Sequence, residues 1–163
     1  MTSDGSLFHH IGITLYETLI GFVIVIIGSL LVATLFWWNE TLSKVLEPYL
    51  VILNALPKSA LAPVLIVWLG ANKTTIIVCA CSVAIFGSIL NIYTGFTNVD
   101  PDKMKLIETL RGNRFQCLRL VVLPSNVPNI LSIMKVNIGL CLVGVVIGEF
   151  LAAKEGLGYL IIY

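Results

Sequence analysis

The chain has 163 residues, 58% of them hydrophobic and only 12% charged, with a formal net charge of +1 and a mean hydropathy of +0.98. A soluble domain carries about twice that charged fraction, so a water-soluble globular fold is excluded. The near-neutral balance likewise excludes a nucleic-acid surface built on cationic excess.

The charge is unevenly placed. Thr18–Trp38 and Thr74–Val99 are uncharged runs of 21 and 26 residues, and roughly 20 apolar residues span the hydrocarbon core as a helix. The expectation is an all-α, multi-pass membrane protein with about four transmembrane helices. Cys79, Cys81 and Cys141 fall inside expected spans and Cys117 outside them, which is neither a disulfide framework nor a zinc spacing. Cys79 and Cys81 project about 200° apart on a helix, which suits packing. No metal or cofactor is expected.

In chain order, residues 1–16 contain Asp4 but no Lys or Arg, so they lack the positive region of a cleavable signal peptide. Leu7–Tyr16 reads as a surface helix. His9 and His10 are adjacent, with no further ligand nearby to suggest a metal. The first span is expected over 17–38, ending in the interfacial pair Trp37-Trp38. A polar connection follows over 39–47, with Glu40, Lys44 and Glu47.

The second apolar region, 48–71, is punctuated by Pro48, Pro57 and Pro63, with Lys58 beside the middle one. Proline removes a donor and breaks the helix ladder, and carbonyls freed in lipid need protein or water as partners. Pro57 and Pro63 are therefore expected to break this span. An alternative lays 48–57 at the interface and lets only 59–71 cross. Lys58 either lines a pathway, where it attracts an anionic solute, or snorkels to the interface. Gly70–Lys73 is a tight turn, and the third span runs over 74–96.

Residues 97–128 form a basic segment with five positive charges: Lys103, Lys105, Arg111, Arg114 and Arg119. The positive-inside rule places it in the cytoplasm. Alternation then puts 39–47 inside, and 1–16, 70–74 and 154–163 outside. Asp100 and Pro101 start a helix. Met104, Ile107 and Leu110 make one apolar stripe, and Gly112 ends the helix in the left-handed conformation that glycine adopts cheaply. A second short helix is expected from Arg114 to Val122, stopped by Pro124 and Pro128. The segment either lies on anionic headgroups or docks its stripe in a groove of a soluble subunit.

The fourth span is expected over 129–152, within a transmembrane domain of 17–153. Gly139, Gly144 and Gly148 offer a small-residue packing face. Glu149 near the outer end is either a pathway or gate carboxylate or one reaching the interface.

Taken together, Thr14-Leu-Tyr-Glu-Thr-Leu-Ile-Gly-Phe22, Leu46-Glu-Pro48, Leu56-Pro-Lys-Ser-Ala-Leu-Ala-Pro63 and Trp68-Leu-Gly70 resemble the permease subunit of bacterial ABC importers of the nitrate/sulfonate/taurine type. The segment 100–124 resembles that family's coupling loop, which ends in Leu-Pro and a second proline, here Leu123-Pro124 and Pro128. Glu149 with Gly156-Leu-Gly158 resembles its final signature. One departure concerns the coupling-loop glycine. It precedes the Leu-Pro proline by 13 positions in the family, whereas Gly112 precedes Pro124 by 12. An ungapped match therefore puts Arg111 at the glycine position. Such permeases have about six spans, so the first and last are expected to be missing here.

The resemblance implies a bacterial plasma-membrane permease for a small solute, anionic in the nitrate/sulfonate/taurine manner. It implies a second permease subunit (a homodimer), a cytoplasmic ATPase and an extracytoplasmic solute-binding protein. It assigns ATPase coupling to Met104, Ile107, Glu108, Leu110, Arg111, Gly112, Leu123 and Pro124. No Gly-x-x-x-x-Gly-Lys-Ser/Thr loop is present in the sequence, so ATP hydrolysis is expected from the partner. The rival reading is a truncated membrane scaffold or assembly protein without transport.

Overall fold

The computed structural model describes residues 4–161. Residues 1–3 and 162–163, the tips of the two segments expected outside the cell, lie beyond the described range. Among the described residues every regular element is helical: α1 (Asp4–Trp38), α2 (Glu40–Ala55), α3 (Lys58–Leu69), α4 (Lys73–Thr97), α5 (Pro101–Thr109), α6 (Arg114–Cys117), a π-helical turn (Leu118–Val122), α7 (Leu123–Ala152) and α8 (Leu157–Leu160). Among the described residues three helical stretches are long and apolar enough to cross a membrane: Leu7–Trp38, Lys73–Thr97 and Arg114–Ala152. The bent pair α2 and α3, at 102° to one another, is apolar and long enough when taken together to be a broken span or a re-entrant loop.

Helix α4 is the centre, packed between α1 and α7. Lipid offers no hydrophobic drive for helices to associate, so close approach and dispersion hold them. The contact is made by small residues. A Cβ on Gly144 would fall 2.6 Å from Ala80 Cα, and one on Gly148 would fall 3.2 Å from Ile76 Cα. Val25, Ala84 and Cys141 fill the middle of the bundle. Phe96, Ile92, Val122 and Leu118 fill the end that carries α5 and α6. Gly139 is not part of this face, because nothing lies within 4 Å of where its Cβ would be.

Several expected boundaries are corrected. The surface helix over Leu7–Tyr16 is the first part of α1, since no turn residue separates it from the span; Gly12 stays helical. The polar connection 39–47 is helix from Glu40 onward. Only Asn39 interrupts the chain there, its side chain accepting from the amides of Thr41 and Leu42 at 3.1 and 3.2 Å. Pro57 does break the second span, whereas Pro63 lies inside α3. Its ring removes a single amide in the second turn, and the rest of the ladder continues.

The helix beginning at Arg114 does not stop at Pro124 or Pro128 but runs to Ala152. Ahead of Pro124 the ladder switches to the wider π pattern, with Leu123 N–H donating to Leu118 C=O. That gives the proline ring room.

Candidate functional site

Helix α4 carries Gly87, Ser88, Asn91 and Gly95 on one stripe, at i, i+1, i+4 and i+8. Helix α7 sets Asn126, Asn129, Ser132 and Asn137 against it. The glycines make room for amides. A Cβ on Gly95 would collide with the Asn126 and Asn129 side chains, and one on Gly87 would sit 3.2 Å from Asn54 Oδ1. Two cavities open along this seam. One, of about 270 Å³, lies level with the middle of α4 and is lined by Lys58, Ser88 and Asn137. The other, of about 480 Å³, is lined by Gly95, Asn98 and Asn126 nearer the α5 end. Asn91 and Asn129 line both, so the polar track is continuous from mid-bundle to that end.

The hydrogen bonds of the seam run both within each helix and across from α7 to α4. Asn126 Nδ2 donates to Val122 C=O at 2.9 Å, and Asn129 Nδ2 reaches Asn91 C=O at 3.4 Å. Ser88 Oγ donates to Ala84 C=O at 2.6 Å, and its oxygen lies 2.9 Å from the Asn137 carboxamide, from which it accepts. Asn137 is 2% exposed, and the second polar atom of its carboxamide has no partner. Amides along a membrane span are costly against lipid, so this face belongs against water, solute or protein.

At the end of the track, α5 and α6 form a helical hairpin. Asp100 caps α5 by accepting from Asp102 N–H at 2.9 Å. Arg111, not Gly112, takes the left-handed conformation, with φ 56°. Arg111 N–H donates to Glu108 C=O at 2.9 Å, and Gly112 N–H to Ile107 C=O at 2.8 Å. This is a Schellman ending with arginine where glycine usually sits. Gly112 is required for space instead, because a Cβ there would strike Ile107.

The expected stripe splits in two. Met104 and Ile107 are half-buried, Met104 packing against the cluster around Phe96. Leu110 is 71% exposed, and it shares its face with Leu106 at 60%. Phe115 is also exposed. Leu106 and Phe115 escape a reading that counts in threes; the i, i+4 pair Leu106 and Leu110 was the signal. Glu108, Arg111 and Pro124 are exposed, while Gly112 and Leu123 are half-buried. Arg114 ties the hairpin to α1, donating to Trp37 C=O at 3.3 Å with its guanidinium 5.4 Å from the Trp37 ring.

Glu149 sits at the opposite end and outside the seam. It is fully buried rather than reaching the interface. Its carboxylate accepts from Thr14 Oγ1 at 2.6 Å and from Gly158 N–H at 2.8 Å. Thr14 Oγ1 accepts from Leu157 N–H at 2.9 Å, and His10 Nδ1 from Gly156 N–H at 2.9 Å. Three successive backbone amides are thus held by side chains of α1 and α7. Gly156, at φ 109°, leaves no space for a Cβ beside this carboxylate. Lys58 therefore lies in the seam, Glu149 in a clamp, and the coupling candidates on the hairpin except for Leu123 and Pro124, which begin α7.

The sequence matches a protein family over residues 18–163. A formylaminopyrimidine transport permease protein of Halalkalibacterium halodurans is 29% identical over 157 residues, 96% of this chain and 63% of its own length. A protein of Haemophilus influenzae named as a probable ABC transporter permease is 31% identical over 157 residues, 96% and 64% respectively. The taurine transport system permease protein of Escherichia coli is 24% identical over 159 residues, 97% and 58%. The chain thus spans less than two thirds of the length of these relatives. It belongs to the family of binding-protein-dependent transport system inner membrane components.

Proposed function

We propose that the chain is the membrane-spanning permease subunit of an ATP-driven importer for a small solute, and that α5 and α6 couple it to a separate cytoplasmic ATPase. The observation that carries this reading is the continuous amide track along α4 and α7, which leads to the end bearing the exposed hairpin. A passage needs polar lining in mid-membrane, and a coupling element needs an unpaired amphipathic face at the same end. The five basic residues around the hairpin support placing it in the cytoplasm. A second copy of the chain covers the seam, and an extracytoplasmic binding protein delivers solute at the Glu149 end. The relatives are named for formylaminopyrimidine and for taurine transport; Lys58 in the track favours an anionic solute here.

The docking face is Leu106, Leu110 and Phe115, with Arg111 and Glu108 at its edge. Met104, Ile107, Gly112 and Leu123 hold the hairpin from below. The test is co-expression of the tagged full chain with the ABC ATPase subunit from the same source, followed by extraction in mild detergent. Near-equal recovery of the ATPase is expected, and its loss in Leu106→Glu/Leu110→Glu with the chain still inserted. Insertion of the wild-type chain with no ATPase recovered would leave the scaffold reading standing instead.

A further inference from the structure

Glu17 lies outside both the amide seam and the Glu149 clamp. It is 2% exposed, and its Oε2 has no hydrogen-bond partner. The donors around it are committed elsewhere. The Thr14 hydroxyl, one helical turn earlier, donates to Glu149 at 2.6 Å, and that of Thr18 donates to Thr14 C=O at 2.7 Å. Lys73 pairs with Glu155 at 3.6 Å, and among the described residues no cation pairs with Glu17. A buried acceptor left without a donor is costly, the more so when it carries charge.

Open space adjoins this side chain on two sides. A cavity of about 330 Å³ is lined by Glu17 with Ala71, Ile76 and Ala152, and a second of about 340 Å³ by Glu17 with Phe8, Gly12 and Tyr16. Lys73 lines both. Depth in the bilayer decides what reaches them. Glu17 stands 20 residues before Trp37 on one helix, about 30 Å at the usual rise, which is the thickness of the hydrocarbon core. With Trp37 at one interface, Glu17 is level with the other. Phe8 and Tyr16 are 72% and 65% exposed there, as suits aromatic side chains among headgroups.

We infer that Glu17 receives a primary ammonium group at this boundary, carried by an aminophospholipid headgroup or by a small free amine. The carboxylate is the acceptor, the aliphatic walls take the attached carbons, and Phe8 and Tyr16 add aromatic surface that attracts a cation. Lys73 is at hand for the phosphate of a lipid. The unpartnered oxygen needs an N–H donor, so a quaternary ammonium does not serve. A divalent metal does not fit either. It needs about six or more oxygen ligands, whereas both Glu149 oxygens are taken and Glu155 faces Lys73. The site lies at the opposite end of the bundle from the hairpin and holds whether or not the chain is a permease.

The test is equilibrium dialysis of radiolabelled ethylammonium against the full chain in phosphatidylcholine nanodiscs, whose headgroups carry no N–H. Saturable binding is expected, competed by methylammonium and not by tetramethylammonium. Glu17→Gln should weaken it about tenfold or more, the order of one charge-assisted hydrogen bond. Glu17→Asp, which keeps the charge, should retain part of it. Replacing some phosphatidylcholine by phosphatidylethanolamine separates the two sources. Displacement of the label assigns the site to the lipid headgroup, and unchanged binding assigns it to a free amine. No saturable binding up to ~10 mM, equal competition by tetramethylammonium, or undiminished binding in Glu17→Gln overturns the ammonium site. The tetramethylammonium comparison uses the wild-type chain, so it decides even where Glu17→Gln fails to fold.

Discussion

Replacing Glu149 by alanine removes the acceptor of two hydrogen bonds at once, the Thr14 hydroxyl at 2.6 Å and the Gly158 amide at 2.8 Å. Both are charge-assisted and the carboxylate is fully buried. At about 1.5–3 kcal/mol for each such bond, the turn Gly156–Gly158 should lose about 3–6 kcal/mol of its hold on α1 and α7. Lys154 lies two residues ahead of this turn and gives trypsin a site beside it. Cleavage of a transiently opened segment tracks the open population. Every 1.4 kcal/mol is tenfold, so the alanine variant should be cut after Lys154 about 100- to 10,000-fold faster in detergent.

Glu149→Gln is the sharper control. Its carboxamide oxygen can still accept from Gly158. Its nitrogen can donate to Thr14 Oγ1, whose own proton can turn to the His10 carbonyl, 3.2 Å away. Only the charge is lost, so cleavage should rise about tenfold, the order of 1–2 kcal/mol. Glu149 does not clamp this turn if the alanine variant is cut within about threefold of wild type, or if glutamine is as damaging as alanine.

Other outcomes follow from the same geometry. Arg111→Gly should relieve a left-handed non-glycine residue by about 1 kcal/mol, slowing amide exchange at Arg111 and Gly112 about fivefold; Arg111→Val should do the opposite. Gly144→Leu, with no space beside Ala80, should force α4 and α7 apart and speed maleimide labelling of buried Cys141. Gly139→Leu, on an open face, should leave that labelling unchanged. Arg114→Ala should free the hairpin from Trp37, shift tryptophan fluorescence and lower ATPase recovery. Arg114→Lys should rescue only part, since an ammonium lacks the planar contact with the ring.

The long uncharged runs made α1 and α4 readable from the sequence, and the apolar stretch around Lys135 and Glu149 made α7 readable, because span length is set by the bilayer and by little else. Pro57 was readable as a break for the same kind of reason. Pro63 and Pro124 were not, since the cost of a proline depends on where in the ladder its missing amide falls. The seam was hidden because a scan for charge passes over asparagine. Asn91, Asn129 and Asn137 sit inside spans without disturbing their hydropathy, and only their convergence in space makes a track. The Gly112 expectation failed by one residue: a Schellman ending needs a left-handed residue and a close approach, and here Arg111 meets the first demand and Gly112 the second.

The π-helical turn at Leu118–Val122 has a consequence for what this chain can tolerate. From Arg114 to Ala152 the helix is unbroken for 39 residues, about 58 Å at the usual rise. A wide turn amounts to one inserted residue, about 100° of rotation. That rotation sets the azimuth of the hairpin relative to the asparagines of α7. Deleting one residue between 118 and 122 would restore an ordinary helix while turning the whole hairpin a quarter-revolution away from its present bearing. Side-chain changes there leave the bearing intact. What this stretch must keep is its length, much as a crankshaft must keep the angle between its throws.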